Sequence, residues 1–141
     1  MSLNLLPEDR AQFASKEYWD DFFQKRGERA FEWYGEYPQL CGILHKYITP
    51  KDSILNVGCG NSRLSADIYD RGIESIVNVD ISEGVIARMK ETNAKLRPNM
   101  KWEVGDVTNL SGHADGSFSV ALDKGIGFWF IISLSNQSHR V

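Results

Sequence analysis

The sequence predicts an α/β domain built on a parallel sheet, and three observations predict it. The apolar run Ile54-Leu55-Asn56-Val57 turns into the glycine-rich stretch Gly58-Cys59-Gly60-Asn61-Ser62, and a helix-like pattern follows. A second apolar run, Ile76-Val77-Asn78-Val79, closes on Asp80. Short apolar strands then keep alternating with helix-period segments as far as Gly125, a pattern that argues for a sheet covered by helices. Strand, glycine turn, helix and strand-closing acid together form the layout of a nucleotide-binding βαβ unit. Gly58 and Gly60 let the backbone turn tightly and approach a ligand. Asp80 stands where a ribose hydroxyl pair needs an acceptor.

The elements follow in order. The first dozen residues read as irregular. Ser15 caps a helix over residues 16–26, with Trp19, Phe22, Phe23 and Arg26 on one face and Gly27 as its stop. Pro38 opens a second helix, Gln39 to Tyr47, whose inner face takes Leu40, Ile43, Leu44 and Tyr47. The first strand is Ser53 to Val57. The helix after Gly60 turns Leu64, Ile68 and Tyr69 inward and ends at Gly72. Ser75 to Asp80 is the second strand. Ser82 and Glu83 cap the next helix, with Val85, Ile86 and Met89 inward. Met100 to Val104 and Phe118 to Leu122 are the third and fourth strands, separated by a loop rich in Gly, Ser and Asp. After Gly125 an apolar block, Ile126 to Leu134, leads into a polar tail without periodicity. Three segments result: a helical cap over 1–50, a nucleotide-binding half-domain over 51–125 and a divergent tail over 126–141.

Bulk properties narrow the function classes. At 141 residues the chain is sized for one domain with a real core. A net charge of −3, with no basic run interleaved with aromatics, argues against nucleic acid. The longest apolar run, Phe128 to Ile132, is far shorter than the ~20 residues of a membrane span. Neither a signal peptide nor metal-type Cys or His spacing is visible. Cys41 and Cys59 read as reduced thiols, which points to a cytoplasmic protein.

Ligands bind over the carboxyl ends of strands in open α/β sheets. Gly58, Gly60, Asn61, Asp80, Asp106 and Asp123 all fall at such ends, around one crevice. Acids at strand ends can also merely cap loops and helices, but four polar strand ends argue for a site more strongly than any one. A nicotinamide site favours a third glycine three residues beyond Gly60. That position is Arg63, which speaks against a dinucleotide. Asp106 offers an acceptor to an adenine amino group.

Val57-Gly58-Cys59-Gly60-Asn61-Ser62, with Asp80, Asp106 and Leu122-Asp123-Lys124-Gly125, resembles the class I S-adenosylmethionine-dependent methyltransferases. Asn4-Leu5-Leu6-Pro7, Tyr18-Trp19-Asp20 with Phe22-Phe23, and Phe31-Glu32-Trp33-Tyr34-Gly35 are similar to the N-terminal domain of the elongation factor 1-alpha lysine and N-terminal methyltransferases. The likeness runs from residue 4 to about residue 125. It implies a Rossmann-like class I methyltransferase sheet with an N-terminal helical cap. It also implies S-adenosyl-L-methionine as cofactor and a lysine amine of a protein, elongation factor 1-alpha, as acceptor. By the resemblance Gly58, Gly60 and Asn61 lie against the methionine part of the donor. Asp80 holds the ribose, with Ile81 beside the adenine, and Asp106 and Val107 frame the adenine. Trp19, Phe23 and Trp33 match positions that close over the cofactor, although plain packing of the cap also accounts for them. Asp123 and Lys124 match the catalytic positions beside the sulfonium and the incoming amine. An acceptor lysine, with a reference pKa of ~10.4, must lose its proton before attack. Desolvation near the sulfonium favours the neutral amine, so Asp123 positions rather than deprotonates.

The family continues after Asp123-Lys124-Gly125 with a threonine-leucine-acid segment, a helix and further strands. Ile126-Gly127-Phe128-Trp129 matches neither that segment nor its polarity. The expectation is therefore a C-terminally truncated sheet whose apolar block lies along the fourth strand and partly covers it. An exposed edge would invite self-association. The alternative to an enzyme is a truncated non-catalytic product that retains at most cofactor or partner binding.

Overall fold

Helices begin where the sequence supplies a cap. The computed structural model describes residues 8–124, apart from 28, 31, 33 and 34, together with the backbone of 129–133. Asp9 caps a single turn, α1 (Arg10–Phe13), by accepting from the Gln12 amide. This regular turn lies in a stretch whose sequence reads as irregular. Ser15 caps α2 (Lys16–Arg26) by accepting from the Tyr18 amide, and Gly27 ends it at φ 61°, within the left-handed region that favours glycine.

The next helix, α3 (Tyr37–Tyr47), starts earlier than Pro38 suggests, with Glu36 at the N-cap. Its inner face also differs from expectation. Ile43 is 44% exposed and Tyr47 51%. Tyr37, Leu44 and the C-cap residue Ile48 are buried instead, with Leu40 and Cys41 partly buried against the same core. The 3.6-residue period centres the buried stripe on Tyr37, Leu44 and Ile48, which leaves Leu40 and Tyr47 at its edge and Ile43 beyond it.

The sheet holds β1 (Ile54–Val57), β2 (Ile76–Asp80), β3 (Lys101–Val104), β4 (Val120–Lys124) and β5 (Trp129–Ser133), in the order β3-β2-β1-β4-β5. The first four are parallel, and β5 pairs antiparallel with β4. Residues 129–133 of the apolar block therefore do lie along the fourth strand, and the rest of the block lies outside the described residues. The remaining helices are α4 (Leu64–Tyr69) and α5 (Glu83–Asn93).

One face of the sheet carries the main core. Ile54, Ile76, Trp102, Val120 and Leu122 meet Phe22, Leu44, Ile68, Val85 and Met89 there. Within this face Asn56 donates to Asn78 at 3.0 Å, and Asn78 donates to the Lys101 carbonyl at 3.1 Å. Both asparagines are buried, so each bond avoids the penalty of an unpaired interior amide. The opposite face is smaller: Leu55, Val57 and Val79, with Val77, Leu110 and Phe118 against them. Leu110 and Phe118 come from the connection between β3 and β4, which contains turns but no helix.

Candidate functional site

Parallel register carries the carboxyl ends of β1 to β4 to one edge. Val57 pairs with Val79 and with Asp123, and Asp80 pairs with Val104. The sequence-predicted residues Gly58, Gly60, Asp80, Asp106 and Asp123 therefore do share that edge.

Gly58 and Gly60 take φ of 60° and 52°, values that glycine adopts without the penalty of a Cβ. A Cβ on Gly60 would stand 2.9 Å from Phe23 Cζ. Phe23 thus packs directly on the loop, and only a glycine allows that approach. Trp19 is partly buried beside it, its ring 6.0 Å from that of Phe23 and edge-on to Phe22 at 5.2 Å. Trp33, Phe31 and Tyr34 lie outside the described residues, as do residues 4–7. Lys124 ends β4, and its side chain also lies outside what is described.

Asp80 is 8% exposed. One carboxylate oxygen accepts from the Gly60 amide at 2.8 Å and the other from the Ser82 amide at 3.0 Å. The acid thereby ties the β1–α4 turn to the β2–α5 turn. Burial raises its pKa, against the backbone N–H bonds that favour the charged form. The neighbouring Cys59 thiol is pushed well up, by burial first and by Asp80 second. It is a packed thiol rather than a nucleophile.

Asp106 is exposed. One of its oxygens accepts both the backbone N–H of Thr108 at 2.9 Å and its hydroxyl at 2.7 Å, and these bonds lower its pKa. Ile81 is half-buried and Val107 is 37% exposed, each next in the chain to its acid. Asp123 is half-buried on β4, opposite Phe130 of β5.

The N-terminal segment reaches the same edge through polar contacts that sequence reading missed. Asn61 donates its amide to the Arg29 carbonyl at 2.7 Å. Ser62 Oγ donates to the Glu32 carboxylate at 2.8 Å, and the Arg63 amide donates to Glu32 Oε1 at 2.9 Å. Ser82 Oγ donates to Asp20 at 2.5 Å. Asp20 and Glu32 both stand inside the aromatic motifs Tyr18-Trp19-Asp20 and Phe31-Glu32-Trp33, so the motifs themselves were the available signal.

Among the described residues no cluster of three or more His, Cys, Asp or Glu could hold a metal ion. No described helix is long and apolar enough to cross a membrane.

Comparison with known proteins agrees with this geometry. The sequence profile of the methyltransferase domain matches residues 54–133, more than half of the chain. The chain is 56% identical over 123 residues to the eEF1A lysine and N-terminal methyltransferase homolog of Drosophila melanogaster. It is 54% identical over the same length to the eEF1A lysine and N-terminal methyltransferase of Homo sapiens. Each match covers 87% of this chain and 18% of the relative, so the chain spans about a fifth of the length of these relatives. Among solved structures, a SAM-dependent methyltransferase from Methanosarcina mazei superposes with a TM-score of 0.50 at 28% identity, covering 57% of this chain and 40% of that one.

Proposed function

The chain belongs to the methyltransferase-domain family, and from that premise we propose that it is an S-adenosylmethionine-dependent protein methyltransferase acting on a lysine amine of elongation factor 1-alpha. The observation that carries the reading is Asp80: a buried acid at the end of β2, tied by both oxygens to the turns that flank the crevice.

The residues present fit the donor. A carboxylate has about four lone pairs, and the amides of Gly60, Ile81 and Ser82 do not use them all, which leaves acceptor capacity for a ribose hydroxyl. Both Thr108 bonds fall on one Asp106 oxygen, which leaves the other as an acceptor for an adenine amino group. The glycine turn at Gly58 and Gly60, with Asn61 next in the chain, would take the methionine part. Ile81 and Val107 are apolar walls for the adenine ring, and Trp19 and Phe23 lie on the cap side.

S-adenosylmethionine, when bound, supplies a methyl group on a sulfonium to an attacking amine. The protein contributes position and exclusion of water. The aromatic side chains of α2 lower the polarity of the mouth, which favours a neutral acceptor amine. Asp123, near the end of β4, orients that amine. The name of the relatives supports elongation factor 1-alpha as the protein acceptor. Two free cysteines support a reducing, cytoplasmic setting. Self-association would use the outer edge of β5.

A second reading, donor or partner binding without turnover, is favoured by β5, which runs antiparallel along β4 where an open α/β sheet carries a further parallel strand. Calorimetric titration with S-adenosylhomocysteine, followed by transfer of labelled methyl to elongation factor 1-alpha, separates the two. Asp80→Asn should weaken binding about 10–100-fold, given ~1.5–3 kcal/mol for a hydrogen bond to a charged group. Binding without transfer would favour the second reading. Absence of binding by the folded wild-type chain would refute the enzyme reading and leave only partner binding.

A further inference from the structure

We propose that Asp20 and Glu32 are positioning residues that latch the N-terminal segment onto the two turns bounding the donor crevice, so that order in this segment and donor binding depend on each other. The affinity half of this inference rests on the donor reading above.

The latches are built from opposite sides. On the glycine-loop side, the N-cap residue of α4 is Arg63, which makes no side-chain capping bond of its own. Glu32, about 30 residues earlier, supplies a carboxylate to that helix start by accepting from the Arg63 amide and from Ser62 Oγ. Ser62 Oγ in turn accepts from the Leu64 amide at 3.1 Å. A negative charge at a helix start is favoured by the exposed N–H groups there.

On the ribose side, Ser82 caps α5 by accepting from the Val85 amide. Its hydroxyl proton goes to Asp20, 62 residues earlier in the chain. Lys16 holds the other Asp20 oxygen at 2.8 Å, and Lys16 and Ser82 together lower the Asp20 pKa.

Between the two latches the segment is fastened twice more, by Arg88 donating to the Gly27 carbonyl and by Asn61 donating to the Arg29 carbonyl, each at 2.7 Å. Asp80 joins the two turns beneath. The bonds thus run from Asp20 through Ser82, Asp80 and the glycine loop to Glu32. Neither latch acid needs to touch the donor. Each holds in place a backbone that does, and a ligand that orders that backbone must stabilise the segment by the same coupling.

The test uses the full chain and the variants Asp20→Asn, Glu32→Ala and Glu32→Gln, with Lys90→Ala on the exposed side of α5 as control. Amide exchange is followed with and without S-adenosylhomocysteine, and affinity is read by calorimetry. Without ligand, Glu32→Ala should speed exchange at Arg63 and Leu64, and Asp20→Asn at Ser82 to Val85, about tenfold. Ligand should slow exchange over residues 16–32 in the wild type, and Asp20→Asn and Glu32→Ala should each bind about tenfold more weakly. Glu32→Gln, which keeps one acceptor, should fall between Glu32→Ala and the wild type. Unchanged exchange at the two turns, or affinities within twofold of wild type, would overturn the latch. If the wild type binds no ligand, the donor reading fails by itself, and exchange in the ligand-free variants still decides whether the latches hold. If Asp20→Asn does not fold, the two Glu32 variants carry the decision.

Discussion

Asp80 and Asp106 look alike in the sequence, each an acid that follows a short apolar strand, yet the fold gives them opposite surroundings. Asp80 is buried, bonds to backbone amides of two different turns and has a raised pKa. Asp106 is exposed, folds back on Thr108 two residues on and has a lowered pKa. The first ties together two turns at the carboxyl edge of the sheet, and the second is a self-contained turn at the same edge. Position at a strand end tells where an acid is, and only its neighbours tell what it holds.

The sharpest way to break this contrast is at the loop that Asp80 braces. Gly60→Ala introduces a Cβ at φ 52° and only 2.9 Å from Phe23. Left-handed strain and overpacking together should destabilise the fold by about 2–4 kcal/mol, measured by urea unfolding. A substitution in the Asp106 turn should leave the unfolding midpoint nearly unchanged in the same assay.

A smaller effect is expected at Ser82. Ser82→Ala removes the α5 cap and the hydroxyl that meets Asp20, so unfolding should cost about 1–2 kcal/mol less. A loss below a few tenths would mean that neither bond persists in solution.

The subtlest test is titration. Carboxyl carbon NMR should show Asp80 protonating at a higher pH than Asp106. The linked stability terms then have opposite signs. With its native pKa raised, Asp80 binds a proton more readily folded than unfolded. Its contribution falls as pH rises from the ordinary carboxyl value to the raised one. Asp106 has its native pKa lowered, and its contribution is lost as pH falls through that lower value. Coincident titrations of the two acids would erase the contrast.

Much of the fold was legible because its signals are local. Ser15, Gly27 and Ser82 act on amides or turns within a few residues, so α2 has the bounds, and α5 the start, that the sequence announces. The strands were legible as apolar runs closed by glycine or acid. The inner face of α3 was legible only in part: Leu44 and Leu40 do turn inward, but Ile43 and Tyr47, also apolar enough to do so, are exposed. Packing chose the stripe through Tyr37, Leu44 and Ile48. In the site, Phe23 was readable as an aromatic near the loop, but its contact with Gly60 was not. Asp20 and Glu32 carried no chemical label of their own inside the aromatic motifs.

By itself the sequence determined the α/β alternation, the glycine loop and the acids at the strand ends. Caps, periodicity and turn residues act over three or four positions, and those interactions are present in the chain itself. Only the tertiary structure decided that β5 returns antiparallel beside β4, that Asp80 is buried while Asp106 is not, and that Asp20 and Glu32 fasten the segment to turns 62 and about 30 residues away. Those choices depend on which surfaces meet when the helices pack on the sheet, and burial and hydrogen-bond partners at such separations exist only once they have met.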